Sequence, residues 1–166
     1  MQGKSVTIAV VAPANRLDPA VGERVKAFAA ERYANRVELK IHPQCHLSSG
    51  HFAGDDEARA TAFVEVANDP SVDAVWFARG GYGSCRILER VLPKLTNVAK
   101  AKTYLGYSDI GSLFGALYAR GFSGLAHGPM VADMTRERGE TAVARALSFL
   151  IERAPSSLEP SAEGAR

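Results

Sequence analysis

The sequence predicts an α/β fold, a three-layer, mostly parallel sheet with helices on both faces. Three observations predict it. Apolar, β-prone runs alternate with segments of helical periodicity, strand then helix throughout, as in a parallel sheet wound with crossover helices. The first run, residues 6–12, is continuously apolar, which suits a strand buried on both faces. Marked turns follow the first, third and fourth strands, where open parallel sheets bind their ligands.

The elements follow in order. Pro13-Ala14-Asn15 breaks the first strand. From about 20 to 33, Val21, Val25, Phe28 and Ala29 recur at helical spacing. Val37-Glu38-Leu39-Lys40-Ile41 alternates as a second strand. A polar loop over 43–54 leads to Asp55-Asp56, which can cap a helix with Ala58, Ala62, Phe63 and Val66 inward; Asn68-Asp69-Pro70 stops it. Residues 72–78 form the third strand. Gly80-Gly81-Tyr82-Gly83 is a tight turn, after which Ser84 can cap a helix through 92. Residues 103–107 form the fourth strand, and a helix over 110–120 stops at Gly121. Leu125-Ala126-His127 is a short fifth strand. A last helix over 141–152 places Val143, Ala146, Leu147 and Leu150 on one face. This order corresponds to a flavodoxin-like or class I glutamine amidotransferase-like arrangement. The domain is expected over 1–153. The Pro-, Ser- and Glu-containing stretch 154–166 is expected to be a linker toward a carboxy-terminal domain absent from this chain.

Composition narrows the function classes. The 166 residues suffice for one domain with a full core, and 46% hydrophobic with 23% charged residues is a globular balance. Net charge is +2 with the basic residues scattered, so no nucleic-acid partner is expected. No apolar run approaches the roughly 20 residues of a membrane span, so no membrane partner is expected either. Met1-Gln2-Gly3-Lys4-Ser5 leads directly into a strand without a basic-then-apolar leader, and the cytoplasm is the expected location. Cys45 and Cys85 lack metal spacing and read as free, buried thiols. Asp18, Asp133 and Glu137 lack metal-ligand spacing too, and no metal or other cofactor is expected.

The chemistry concentrates in the turns. In Gly106-Tyr107-Ser108-Asp109-Ile110 a strand runs through a serine and an acid into a helix. Such a turn can lift a nucleophilic hydroxyl above the sheet and aim free N–H groups at the group it attacks. Serine and aspartate are also ordinary helix caps, the competing reading. Gly80, Gly81 and Gly83 would let backbone approach a substrate and supply an oxyanion hole, with the N–H of Asp109 as a second donor. Alternatively they form a simple turn or a phosphate cradle. Arg79 could bind a substrate carboxylate bidentately or sit in a structural ion pair. Tyr82 and Tyr107 could line the cleft or pack, whereas Trp76 and Phe77 belong to the core. A serine needs a base. His42, His46 and His51 lie on or beside a polar loop; His127 stands at the end of the fifth strand, as a base or a structural histidine. None stands convincingly as the base.

Four motifs in this order resemble one family. They are residues 8–14, residues 73–84 with Arg79-Gly80-Gly81-Tyr82-Gly83-Ser84, residues 105–110 with Tyr107-Ser108-Asp109, and His127-Gly128-Pro129-Met130. Together they look like the amino-terminal domain of the serine LD-carboxypeptidases, the murein tetrapeptide carboxypeptidases, over about residues 5–150. The resemblance implies a metal-free cytoplasmic enzyme of peptidoglycan recycling. Its substrate is a small peptide, a muropeptide tetrapeptide, from which it releases terminal D-alanine by cutting an L,D bond. It implies Ser108 as nucleophile, Gly81 and Asp109 as oxyanion donors, and Arg79, Gly80 and Tyr82 at the substrate. The glutamate and histidine of the family's triad come from a carboxy-terminal domain, so this chain alone is expected to be inactive. Apolar surface left by that domain would favour a homodimer. Two alternatives stay open: a peptidase like the microcin-C self-immunity protein, acting on peptidyl or aminoacyl nucleotides, and a non-catalytic α/β ligand-binding domain.

Overall fold

The computed structural model describes residues 5–152. Five parallel strands form one sheet in the order β2-β1-β3-β4-β5. They are β1 (Val6–Val11), β2 (Val37–Ile41), β3 (Ala74–Phe77), β4 (Thr103–Gly106) and β5 (Leu125–His127). The helices are α1 (Pro19–Tyr33), α2 (Asp56–Asn68), α3 (Leu88–Val91), α4 (Asn97–Lys100), α5 (Ile110–Ala119) and α6 (Gly139–Glu152). The α/β expectation, with helices on both faces, is met. The linker expected over 154–166 lies outside the described residues.

The two-residue period of the strands divides the core in two. Ile8, Val10, Ala74, Trp76 and Leu105 face one cluster, closed by Val25, Ala29 and Tyr33 of α1 and by Val143, Ala146, Leu147 and Leu150 of α6. Ala9, Val11, Val75, Phe77 and Tyr104 face the other, closed by Phe63 and Val66 of α2 and by Leu113 and Leu117 of α5. Trp76 is fully buried, and its indole N–H donates to the Pro129 carbonyl at 2.7 Å, fastening the loop after β5 beneath the sheet ends.

Caps account for several boundaries. Asp18 accepts from the Ala20 N–H at the start of α1, and Asp55 accepts from the Ala58 N–H at the start of α2. After α5, Gly121 takes φ +82° and donates to the Tyr118 carbonyl, while Phe122 donates back to Leu117. That pairing is a Schellman stop, as the glycine predicts.

The helix expected over 84–92 is instead a 3₁₀ turn at Ser84–Ile87, one α-turn at α3 and a second 3₁₀ turn at Leu92–Lys94. Ser84 makes no cap, because its hydroxyl is engaged elsewhere, and Pro93 cannot donate to continue the helix. The helix α4, a 3₁₀ turn at Val131–Thr135 and the start of α6 at Gly139 also go beyond the sequence expectation. Cys45 is buried, and burial pushes its thiol up to about 12; Cys85 is exposed, not buried as expected.

The strand order reverses between β1 and β3. A crevice therefore opens beyond their carboxyl ends, and the loops after β1, β3 and β4 converge on it.

Candidate active site

Ser108 stands two residues beyond the end of β4 and takes φ +61°. A non-glycine residue in this left-handed conformation costs about 1–2 kcal/mol, and such strain gathers at functional turns. The strand end before the turn is closely packed. A Cβ on Gly106 would stand 2.9 Å from Cδ2 of Phe77. The chain then winds at once into α5, with Gly111 donating to the Ser108 carbonyl at 2.9 Å. The Ser108 side chain is exposed and lines a cavity of about 430 Å³.

The glycine turn lies against it. A Cβ on Gly80 would stand 3.1 Å from Cβ and 3.2 Å from Oγ of Ser108. Gly81 takes φ +118°, and both glycines line the same cavity. The N–H groups of Gly81 and Asp109 donate to no acceptor among the described residues. Two backbone donors without acceptors among the described residues thus stand in the two loops that meet at Ser108.

The two loops are braced together. The Asp109 carboxylate accepts from the Ser84 N–H at 2.8 Å, and the Ser84 hydroxyl donates to the Asp109 carbonyl at 2.6 Å. Asp109 heads α5 without capping it by its side chain, because the carboxylate is spent on this brace. On the other side of the elbow, the Tyr107 hydroxyl donates to Asp133 at 3.0 Å. The same carboxylate accepts from Arg136 at 2.9 Å and from the Met130 N–H at 2.8 Å. Partial burial and the Asp133 charge raise the Tyr107 phenol above its ordinary range, so it stays a hydrogen-bond donor at neutral pH.

Arg79 is exposed on the cavity lining and pairs with no carboxylate among the described residues. Its guanidinium is free to meet an anionic ligand. Tyr82 lies at the outer edge of the turn, 52% exposed and outside the cavity lining, with its ring 6.2 Å from that of Phe52. No histidine lines this cavity. His127 is exposed, on the far side of Tyr107, with ring centroids 5.7 Å apart. A groove of about 480 Å³ between α1 and α6 is comparable in size, but it is remote from the loops at the sheet ends. Among the described residues no group of three histidine, cysteine or acidic side chains is placed to hold a metal ion.

The most consequential residue outside the sequence reading is Arg59. It is fully buried in α2, donates to the carbonyls of Pro13 and Gly83, and pairs with Asp56. Its guanidinium also lies 4.6 Å from the centre of the Phe52 ring. It thereby ties the loop after β1 to the glycine turn after β3. One signal was available: position 59 falls on the same helical stripe as Ala62, Phe63 and Val66.

Asp56 is shared with Arg86, which holds both carboxylate oxygens. Hydrogen bonds from Arg86, with the charge of Arg59, hold the Asp56 carboxyl below its ordinary range. A depressed folded-state pKa stabilises above the unfolded value, and this contribution is lost as pH falls through the folded one. Asp56→Asn leaves the buried Arg59 charge without its carboxylate and is expected to cost about 3–5 kcal/mol at neutral pH. It should also flatten the fall in stability below about pH 4. Denaturant titrations at pH 7 and pH 3 check both.

Known proteins match this architecture. Residues 8–128, from within β1 through β5 and including the three site loops, match the family model described as the LD-carboxypeptidase N-terminal domain. The chain belongs to the LD-carboxypeptidase family. A putative carboxypeptidase of Rickettsia conorii is 33% identical over 135 residues, covering 80% of this chain and 41% of that protein. A solved muramoyltetrapeptide carboxypeptidase from Oxalobacter formigenes superposes with a TM-score of 0.66 at 27% identity, covering 76% of this chain and 40% of that one. A solved MccF-like protein from Bacillus anthracis gives a TM-score of 0.70 at 24% identity over 89% of this chain and 45% of that one, a likeness of fold alone. This LD-carboxypeptidase chain thus spans about two fifths of the length of the curated relative it matches.

Proposed function

We propose that the chain is the nucleophile-bearing part of a serine LD-carboxypeptidase that releases terminal D-alanine from muropeptide tetrapeptides in cytoplasmic peptidoglycan recycling. The observation that carries this reading is the exposed Ser108 hydroxyl at a left-handed elbow, beside Gly80 and above a cavity that Arg79 also lines. The peptidase family and the muramoyltetrapeptide name of the Oxalobacter relative support the substrate class.

In the proposed reaction Ser108 Oγ attacks the carbonyl carbon of the L,D bond, and its proton passes to a histidine. The carbonyl oxygen becomes an oxyanion held by the N–H groups of Gly81 and Asp109. As the intermediate collapses, the C–N bond breaks and the histidine proton goes to the departing amine of D-alanine. Water then cleaves the acyl-serine ester. Arg79 binds the terminal carboxylate, Gly80 flanks the peptide in the cavity, and Tyr82 meets it beyond the cavity, at the outer edge of the turn.

No histidine of the described residues lines the cavity. The base and its orienting glutamate are assigned to a carboxy-terminal domain on the resemblance to the family, and this chain alone is expected to be inactive. The full-length gene product should release D-alanine from the tetrapeptide, read by chiral chromatography of the products. Hydrolysis of aminoacyl nucleotides with the tetrapeptide untouched would overturn the substrate assignment in favour of the microcin-immunity reading. Binding of either compound without turnover would overturn the enzyme reading altogether.

A further inference from the structure

Resting on that reading, we propose that Asn15 is a further substrate-contacting residue, its carboxamide donating from Nδ2 to a carboxylate or carbonyl oxygen of the bound peptide. Asn15 stands in the loop after β1, at the point where the strand order reverses, and lines the cavity with Ser108 and Arg79.

Its backbone is held from two sides. The N–H lies 3.4 Å from the Gly80 carbonyl, and the residue bridges antiparallel to Phe52. The side chain occupies the space that a Cβ on Gly81 would need. Such an atom would fall 2.4 Å from Cγ and Nδ2 and 2.5 Å from Oδ1. Space-filling alone would be met by an apolar side chain, yet a carboxamide stands here. It makes no hydrogen bond with any described residue, and its Oδ1 is enclosed without a partner. Nδ2 likewise has no partner among the described residues but, unlike Oδ1, is not enclosed, so it is the unpaired donor of this amide. With Oδ1 enclosed, Nδ2 is the end left for the cavity. The fixed backbone presents it in place before a ligand arrives.

A donor so placed fits an oxygen acceptor on the peptide, either its terminal carboxylate or a backbone carbonyl. The test uses the full-length protein carrying Ser108→Ala, which binds without turnover, titrated calorimetrically with the tetrapeptide as free acid and as C-terminal amide. Adding Asn15→Ala is expected to weaken binding of the free acid about tenfold. A penalty that vanishes with the amide identifies the carboxylate as acceptor; one that persists identifies a carbonyl. Affinities within twofold of the parent for both ligands overturn the proposal.

A residue that only propped the Gly81 turn would behave differently. In the protein with Ser108 intact, Asn15→Ala is expected to raise KM about tenfold. A fall in kcat at constant KM would overturn the proposal in favour of a prop. The underlying reading fails separately. A parent that binds the tetrapeptide but never releases D-alanine contradicts the proposed reaction and still reports the Asn15 penalty. A parent that binds no tetrapeptide overturns both.

Discussion

Ser108→Ala is expected to lower D-alanine release from the tetrapeptide by about five orders of magnitude or more in the full-length protein. The size follows from the role. Without the hydroxyl no acyl-enzyme forms, and what remains is the small rate supported by binding and oxyanion stabilisation alone. Stability should scarcely change, because the side chain is exposed. Ser108→Gly sharpens the argument. The residue sits at φ +61°, so glycine should raise stability by about 1 kcal/mol while activity is lost as completely. Opposite signs of the two effects mark a strained turn kept for chemistry. Melting curves and product assays on the two variants read them. A Ser108→Ala protein within tenfold of wild-type activity would move the nucleophile elsewhere.

Gly81→Ala is expected to lower kcat by about 10²–10³-fold. At φ +118° an alanine is strained whatever space surrounds it, and here its Cβ would meet the Asn15 carboxamide at 2.4 Å. The turn must shift, and the Gly81 N–H shifts with it. The loss should appear per folded molecule, measured by active-site titration beside circular dichroism. An enzyme that is less stable yet turns over normally per folded molecule would reduce Gly81 to a turn residue.

The sheet was legible because its evidence is local. The continuous apolar run at residues 6–12 requires burial on both faces, and β1 lies inside the sheet between β2 and β3. The convergence of the site loops followed as well, since parallel strands place every such loop at one end. What escaped the sequence depends on partners far along the chain. Ser84 carries the propensity of a cap, but its hydroxyl is drawn to the Asp109 carbonyl, 25 residues away. Asp109 likewise spends its carboxylate on Ser84 rather than on its own helix. Arg59 looks like an ordinary surface cation of an amphipathic helix until the carbonyls of Pro13 and Gly83 converge on it. The place of His127 turned on which side of Tyr107 it falls, and no spacing encodes that.

The same long-range ties give the site its stiffness. Arg59 joins the loops after β1 and β3, the Ser84–Asp109 brace joins those after β3 and β4, and Asp133 anchors Tyr107 to the segment following β5. The Gly81 and Asp109 N–H groups are therefore held in place beforehand, which is what the proposed oxyanion hole requires.

The central claim is that Ser108 is the reacting nucleophile, and one measurement meets it directly. Full-length protein is treated with a fluorophosphonate, digested, and the modified residue located by mass spectrometry. The expected result is a single phosphonylated site at Ser108, missing from the Ser108→Ala variant. Equal modification of both proteins, or an adduct on any other residue, would contradict it.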